Sequence, residues 1–286
     1  MATVVLITHG HPETASGGVA AAAASAEQAG WEMVATPEEH AKHGAAAAAI
    51  GEVDKLPDRP DLCLVLGGDG SILYALRRYA DSEVPVFGVN FGTVGFLAAA
   101  EREELGPALS QAWAGDYRVM SLPGLEVPSL AERRGGDGVV GLNDVVFLRQ
   151  PQRRVPELSC SIEGEEVGHV RCDGLVIATP AGSTGYNLAN SGPILAWGVE
   201  GYVVSFIAPH TLTARALVVA PGDSIEVGNA AGRDPVELLL DGELAASLGP
   251  GEKIEVRFRN DVSKLAQLPG ASFYRRIREK FGMLTR

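Results

Sequence analysis

Apolar runs in the first third of the chain alternate with segments that have a helical pattern. Each run is followed by a loop and then by a helix-like stretch, and the three runs are TVVLIT (3–8), DLCLVL (61–66) and VPVFGVN (84–90). After the first run we expect a loop over 9–18 and an alanine-rich helix over 19–29. Unbroken apolar strands joined through helices are typical of a parallel sheet with helices on its faces. The alanine-rich stretch 41–50 fits either a further helix or a mobile segment.

From about residue 116 the pattern changes to short apolar runs with few helices between them. Gly, Pro, Asn or Asp separates the runs, which cover 138–149, 157–171, 174–180, 201–209, 223–228, 235–243 and 253–259. This spacing predicts an antiparallel, β-rich second domain, and SIEGEEVG contains the acidic Gly turn of a hairpin. We therefore expect an α/β domain over 1–115 and a β-rich domain over 116–259.

The last stretch of the chain has the pattern of an amphipathic helix. Phe273, Ile277, Phe281 and Leu284 recur at helical spacing, and the basic residues lie mostly off this stripe. We expect the helix to pack on the protein's own α/β domain. A basic membrane-surface helix is the alternative, which the shortness of the segment and the acidity of the whole chain disfavour.

Charge and cysteine content narrow the class of protein. The chain of 286 residues carries a formal net charge of −12, which would repel nucleic-acid phosphates and anionic lipids, so we expect neither as a partner. The three cysteines have neither disulfide nor zinc spacing, and there is no 18-residue uncharged apolar run and no basic N-terminal region. These features predict a cytoplasmic protein in which an anionic substrate would need a local positive pocket.

The segment LVLGGDGSI places one carboxylate, Asp69, among Gly67, Gly68 and Gly70, directly after an apolar strand pattern. The carboxyl end of a parallel strand is the sheet edge where ligands bind, and a helix beginning near Ser71 would direct its N–H groups and positive dipole end there. The glycines would let backbone amides approach a phosphate and would permit positive φ. The carboxylate could then accept a proton from an attacking hydroxyl or hold Mg²⁺. An ordinary Asp-Gly turn is the alternative.

A second glycine-rich segment, CDGLVIATPAGSTGYN, runs from a predicted strand into a turn. Its small residues would let a flat or phosphorylated ligand come close, its hydroxyls and amides could donate to phosphate oxygens, and Tyr186 could stack. A plain Gly/Ser turn is the alternative. Asp173, Asn143 and Asp144 are polar residues within or beside apolar runs, so either a ligand or neighbouring backbone groups must satisfy them.

Other glycine and histidine motifs are weaker candidates. His9 and His11 follow the first strand and could touch a phosphate, although a solvated loop is the favoured interpretation. His40 and His43 lie three residues apart on a possible helix without a third ligand nearby, which disfavours a metal site. The second GGD, at 135–137, follows charged residues and predicts an exposed hairpin tip.

Taken together and in order, the motifs closely resemble those of the ATP-dependent NAD kinases. They are LGGDGSIL, VPVFGVNFGTVGFL, LNDVVFLR, CDGLVIATPAGSTGYN, SGPIL and APHTLTARALVV. The GGDG loop is also found in phosphofructokinases and in diacylglycerol and sphingosine kinases, whereas the Asn-acid pair with the TPxGSTxY segment is characteristic of the NAD kinase branch. The resemblance implies a two-domain NAD kinase-like fold with the site between the domains, a terminal segment (260–286) that returns to the first domain, and a homodimer or homotetramer.

The resemblance also implies a reaction. The γ-phosphoryl group of ATP would pass to the 2′-hydroxyl of the adenosine ribose of NAD, giving NADP and ADP, with Mg²⁺ or another divalent cation present. Asp69 would be the general base beside that hydroxyl. The expected NAD contacts are Asp69, Gly70, Asn143 and Asp144 (adenosine), Asp173 (nicotinamide end), Thr184, Gly185 and Tyr186. The expected phosphate and ATP contacts are Gly67, Gly68, Gly70, Ser71, Gly182 and Ser183. No residue is assigned as a metal ligand.

Four positions depart from the family pattern. Tyr74 stands where a basic residue is common, Thr93 where Arg, His or Asn is common, Gly185 for a usual alanine and Ala189 for a frequent serine. These changes bear on the preference for NAD or NADH and for ATP or polyphosphate, more than on the reaction. Two other functions stay open from the sequence, namely a lipid or sugar kinase that uses the same GGDG loop and a non-catalytic NAD-binding sensor.

Overall fold

The computed structural model describes residues 1–8, 10, 12–93, 95–133, 140–230 and 233–282. The chain divides into two compact units, of which the first comprises Met1–Ser121 with Ser263–Arg286 and the second comprises Leu122–Val262. His9, His11 and the GGD at 135–137 lie outside the described residues. The dinucleotide-binding roles and the domain limits expected for the two parts of the chain stay predictions.

The first unit is built on a parallel sheet with helices packed against it. In chain order its first elements are β1 (Ala2–Thr8), α1 (Pro12–Gln28), β2 (Trp31–Ala35), α2 (Pro37–His43), β3 (Gly51–Glu52), β4 (Leu62–Gly67), α3 (Asp69–Arg78), β5 (Pro85–Asn90), β6 (Ala100–Glu101) and α4 (Leu105–Ala114). The strand order is β5-β4-β1-β2-β3, with β6 beside β5, and every one of these pairings is parallel. Apolar side chains of α1 and α4 pack on buried residues of β1, β4 and β5. The predicted parallel sheet is confirmed.

Helix α1 begins earlier in the chain than the sequence pattern predicts. The loop expected over 9–18 is wrong, because α1 already begins at Pro12, a residue type that suits the first helical turn. The paired glycines that suggested a loop lie inside this helix, and a Cβ on Gly18 would lie 2.6 Å from the ring of Phe91. Gly18 therefore permits close packing of the helix and does not mark a turn. Strand β2 was not predicted. The stretch 41–50, for which a helix and a mobile segment were both open, contains the end of α2 and a short 3-10 turn at 44–47.

The second unit is a pair of antiparallel sheets. Its elements are β7 (Arg118–Glu126), α5 (Pro128–Arg133), β8 (Val140–Gly141), β9 (Asp144–Arg149), β10 (Glu157–Ile162), β11 (Glu165–Arg171), β12 (Gly174–Ala178), α6 (Tyr186–Ala189), β13 (Tyr202–Ile207), β14 (Leu217–Val219), β15 (Ile225–Asn229), β16 (Val236–Leu240), β17 (Glu243–Leu248) and the first part of β18 (Lys253–Gln267). One sheet has the order β14-β13-β12-β9-β16-β17 and the other has β11-β10-β15-β18. Buried apolar residues from both sheets form a single core. The antiparallel, β-rich prediction is confirmed.

Two tight hairpins in this unit have the predicted turn chemistry. Glu163 and Gly164, between β10 and β11, both have positive φ (50° and 81°), as do Asp241 and Gly242 between β16 and β17 (49° and 83°). Positive φ at both central residues is the geometry of a type I′ turn, which matches the twist of the flanking strands. The second of these turns matters for the site, since it fixes the position of the Asp241 carboxylate.

The end of the chain returns to the first unit. The last part of β18 pairs in parallel with β5, with Leu265 opposite Val86. Helix α7 (Phe273–Phe281) follows, and two of its rings lie within 6 Å of the Phe96 ring, at 5.8 Å for Phe273 and 5.6 Å for Phe281. The expected packing of the terminal helix on the α/β part of the protein is thus confirmed, while Leu284 lies outside the described residues. Among the described helices, none has the length and apolarity needed to cross a bilayer.

Candidate active site

The Asp69 carboxylate is held by two backbone amides from a distant loop. Strand β4 is buried throughout and ends at Gly67, and α3 begins at Asp69 with Gly68 as its N-cap. One carboxylate oxygen of Asp69 accepts the N–H of Phe96 at 2.7 Å, and the other accepts the N–H of Leu97 at 2.8 Å. Each carboxylate oxygen has a second lone pair, so the half-buried side chain can still accept a proton or a hydrogen bond. Asp69 therefore does more than form a local Asp-Gly turn.

The glycines around Asp69 are not explained by the local fold. Gly68 has φ −90°, and neither it nor Gly70 lies in the left-handed region, so the expected positive φ is wrong for both. A Cβ on Gly70 would meet no atom within 4 Å, and one on Gly68 would make an ordinary contact of 3.7 Å with Gly92. The N–H groups of Ser71 and Ile72 donate to the Gly68 carbonyl at 3.0 and 3.1 Å, and the positive dipole end of α3 lies at the carboxyl edge of the sheet. Open space, absent side chains and a helix N-terminus are the features that an approaching anion requires.

The loop after β5 presents the two amides to Asp69. Asn90, at the end of β5, accepts the N–H of Gly92 at 3.0 Å and donates from Nδ2 to Glu101 at 2.7 Å. Gly95 has φ +65°, and a Cβ there would lie 2.3 Å from Nδ2 of Asn90, so this position needs glycine both for its backbone and for packing. Thr93, one of the departures from the family pattern, is exposed on this loop.

In the second unit, a carboxylate that was not predicted organises the Asn143-Asp144 pair. Asp241 accepts the backbone N–H groups of Leu142, Asn143 and Asp144 at 3.0, 2.7 and 3.1 Å. Burial, with the Asp241 charge as the smaller contribution, raises the pKa of the Asp144 carboxyl to about 7. Near neutral pH the Asp144 carboxyl can therefore donate a hydrogen bond when it is protonated or accept one when it is ionised. The Asp-Gly turn in LLLDGE indicates the hairpin that carries Asp241, but it does not indicate the amides that Asp241 binds.

Thr179 and Gly182 bring the second glycine-rich loop against the same pair. The Thr179 hydroxyl donates to the carbonyl of Leu142 at 2.6 Å and accepts the N–H of Gly182 at 3.0 Å. A Cβ on Gly182 would lie only 1.9 Å from the carbonyl oxygen of Asn143. Packing on Asn143 therefore requires glycine at residue 182. The N–H of Gly182 is not available to a ligand, because it donates to Thr179.

The phosphate role expected for Ser183 is wrong as far as its side chain is concerned. Its hydroxyl is fully buried, donates to the carbonyl of Pro180 at 2.7 Å and accepts the N–H of Leu195 at 2.9 Å. Its own N–H donates to the carbonyl of Thr179 at 2.8 Å. Ser183 holds the loop in place, and no free donor of Gly182 or Ser183 faces a ligand.

The residues of this loop that remain accessible are the next three. Thr184 is half-buried and its hydroxyl donates to the carbonyl of Ala181 at 3.0 Å, whereas Gly185 and Tyr186 are exposed, the latter by 40%. A Cβ on Gly185 would approach Gly182 no closer than 3.3 Å, so the alanine common in the family would fit with a small adjustment. Thr184, Gly185 and Tyr186 thus remain accessible in the loop that packs on Asn143, and their expected contact with the dinucleotide stays a prediction.

Asp173 does not join this cluster. It precedes β12, and Asp144 pairs with Ala178 at the other end of that strand. Five residues of strand separate the two ends by about 16 Å at the usual rise per residue. The Asp173 carboxylate forms an ion pair of 3.1 Å with Arg149, and both side chains are about one-third exposed (36% and 34%). Its expected contact with the nicotinamide end stays a prediction.

The structure gives no support to a protein-held metal site. His43 is buried between the hydroxyls of Thr8 (2.7 Å) and Ser16 (3.0 Å), and burial lowers its pKa. Within the described ranges, no three His, Cys, Asp or Glu side chains are grouped as a metal site.

Comparisons with known proteins agree with these observations. The family model described as ATP-NAD kinase N-terminal domain matches residues 20–117, and the one described as ATP-NAD kinase C-terminal domain matches residues 142–267. A curated NAD kinase of Rhodopirellula baltica is 34% identical over 222 residues, covering 78% of this chain and 71% of its own length. One of Gemmatimonas aurantiaca is 37% identical over 227 residues, covering 78% and 77%.

Two solved structures share the fold. Yeast NADH kinase complexed with NADH has a TM-score of 0.85 at 20% identity and covers 100% of this chain and 89% of its own. An NAD kinase from Archaeoglobus fulgidus in complex with ATP has a TM-score of 0.70 at 24% identity and covers 98% and 97%. The expected two-domain fold and the family resemblance are confirmed, and the chain belongs to the NAD kinase family.

Proposed function

We propose that this protein transfers the γ-phosphoryl group of ATP to the 2′-hydroxyl of the adenosine ribose of NAD, giving NADP and ADP. Membership of the NAD kinase family supports the reaction class. The observation that carries the proposal is the Asp69 carboxylate, which two backbone amides fix beside glycines with open space at a helix N-terminus. In the two related solved structures, one protein is complexed with NADH and the other with ATP.

Asp69 acts as the general base in this proposal. As the 2′-oxygen attacks the γ-phosphorus, its proton passes to Asp69, the new O–P bond forms, and the bond to the β–γ bridging oxygen breaks so that ADP leaves with that electron pair. Phosphoryl transfer needs little covalent chemistry from the protein, so positioning and charge stabilisation provide most of the rate. The loop of Gly67, Gly68, Gly70 and Ser71, at the start of α3, binds the phosphates of the donor.

Mg²⁺ enters as part of the Mg·ATP substrate. Magnesium in kinases is commonly held by substrate phosphates with only one or two protein carboxylates. When bound, the cation neutralises phosphate charge. Residues of this chain then bind and orient the dinucleotide, with Asn143 and Asp144 at the adenosine, Thr184, Gly185 and Tyr186 along it, and Asp173 at its nicotinamide end.

Location and assembly belong to the same proposal. The acidic composition and three cysteines that are all free and buried support a cytoplasmic enzyme, since reduced thiols are usual in that compartment. We propose a homodimer or homotetramer on the family resemblance.

An acceptor panel separates this function from its rivals. Purified protein is given labelled ATP and Mg²⁺ with NAD, NADH, diacylglycerol or fructose 6-phosphate in separate reactions, and polyphosphate replaces ATP in a parallel set. We expect label on the 2′-position of a dinucleotide only. Label on the lipid or the sugar would favour another GGDG-loop kinase, and dinucleotide binding without ATP consumption would favour a sensor.

A further inference from the structure

Two side chains from the end of the chain bind carbonyl groups of Phe96 and Leu97, the residues whose N–H groups donate to Asp69. The guanidinium of Arg276 donates to the carbonyl of Phe96 and to Oε1 of Gln267. Nε2 of Gln267 donates to the carbonyl of Leu97 at 2.8 Å. The Phe96 carbonyl and the Leu97 N–H belong to one peptide group, so Arg276 binds one side of the group that donates to Asp69 from the other.

This arrangement restricts rotation of the 96–97 peptide. Turning that peptide group away from Asp69 would break the Leu97 bond to the carboxylate and the Arg276 bond to the carbonyl together. A charged donor on the carbonyl also polarises the N–H of the same group, because hydrogen bonds in a chain strengthen one another. Gln267 restrains the next peptide group, 97–98, through its bond to the Leu97 carbonyl.

The burial of these groups indicates that the contacts are specific. Gln267 is 3% exposed. Burial lowers the pKa of Arg276, against the opposing influence of the Asp69, Glu101 and Glu279 carboxylates, yet a guanidinium keeps its charge in proteins. Arg276 is half-buried, and a charge that is partly removed from water is destabilising unless it is paired and hydrogen-bonded. Here Arg276 is bonded to Gln267 and to the carbonyl of Phe96, which belongs to the loop that orients Asp69.

The fold explains how the chain end reaches this loop. Strand β18 runs parallel to β5, so Gln267 at its carboxyl end lies at the same sheet edge as the loop that follows β5. The Phe96 ring lies against Phe273 and Phe281 of α7, and this packing sets Arg276 beside the Phe96 carbonyl.

We propose that Arg276 and Gln267 are positioning residues for the general base, and that they act by fixing the Phe96 and Leu97 amides that orient the Asp69 carboxylate. The proposal rests on the function assigned above in its use of Asp69 as the base. Neither side chain needs to touch the substrates, so their loss should affect turnover and leave substrate binding unchanged.

The sharpest variant is Gln267→Glu. It keeps an oxygen for Arg276 and the size of the side chain, and it replaces the donor to the Leu97 carbonyl with a carboxylate oxygen that repels that carbonyl. We expect kcat for NADP formation to fall about tenfold with both KM values within about twofold, since loss of orientation alone lowers rate. Arg276→Lys keeps the charge but not the planar fork that reaches two acceptors, so a similar fall is expected. Arg278→Gln, an exposed position on the same helix, is the matched control and should be unchanged.

A second measurement does not depend on activity. Amide hydrogen exchange in the fragment that contains residues 95–98 should accelerate in Gln267→Glu and Arg276→Lys, while β4 and β5 and the melting temperature keep their wild-type values. Unchanged exchange, unchanged kcat or a loss confined to KM would each overturn the proposal. If the wild type forms no NADP, the proposed function is wrong. The exchange comparison would still show whether the two side chains hold the loop.

Discussion

The two glycine-rich loops look alike in the sequence and differ in the structure. Around Asp69, Gly68 and Gly70 have room for a side chain and ordinary backbone angles, so nothing in the described fold demands glycine there. In the second loop, Gly182 lies so close to Asn143 that a Cβ has no space, and the Ser183 hydroxyl is used internally. Packing thus explains Gly182, whereas the proposed phosphate contacts would explain Gly68 and Gly70.

The largest effect should come from filling the space at Gly182. Gly182→Ala would place a Cβ 1.9 Å from the Asn143 carbonyl oxygen, and we expect the free energy of unfolding to fall by about 3 kcal/mol because backbone must move. Gly185→Ala is the matched control in the same loop and should change stability little. Urea unfolding measures both, and equal stability of the two variants would remove the packing explanation.

The buried acid beside this loop predicts a pH dependence. The raised pKa of about 7 for Asp144 means that the folded protein holds a proton that the unfolded chain has lost above about pH 4. The contribution of Asp144 to stability therefore falls as pH rises from about 4 to about 7 and is constant above that. We expect Asp144→Asn to gain about 2 kcal/mol relative to wild type between pH 5 and pH 8 in urea unfolding. A pH-independent difference would contradict the shifted pKa.

The smallest change in stability, with a large change in activity, is expected at the first loop. Gly70→Ala should raise the free energy of unfolding by about 0.5 kcal/mol, because alanine restricts the unfolded chain and fits the helix start. The same variant should raise KM for ATP or lower kcat, because the new methyl group would occupy the space that we propose for the phosphates. Full activity would show that the open space is not used by a ligand.

The sequence predicted the parts of the molecule that depend on local pattern. The parallel strands, the hairpin at Glu163-Gly164 and the terminal helix follow from apolar spacing and turn residues, and Asp69 was identified from its neighbours. Asp241, Gln267 and Arg276 could not be found in this way, because each acts on backbone groups far away in the chain: Asp241 binds the amide of Asn143, and Gln267 the carbonyl of Leu97. A single sequence carries no signal for such partners. Close packing by Gly18 likewise cannot be told from a turn without the structure.

The most direct test of the account is the turnover of Asp69→Asn. Removal of a general base lowers the rate by about 10²- to 10⁴-fold, so with saturating ATP, Mg²⁺ and NAD we expect kcat for NADP formation to fall about 10³-fold while the fold and dinucleotide binding remain. The amide also disturbs the bonds from Phe96 and Leu97, and Gln267→Glu calibrates the share of the loss that this causes. A kcat within about threefold of wild type would contradict the assignment of Asp69 as the base.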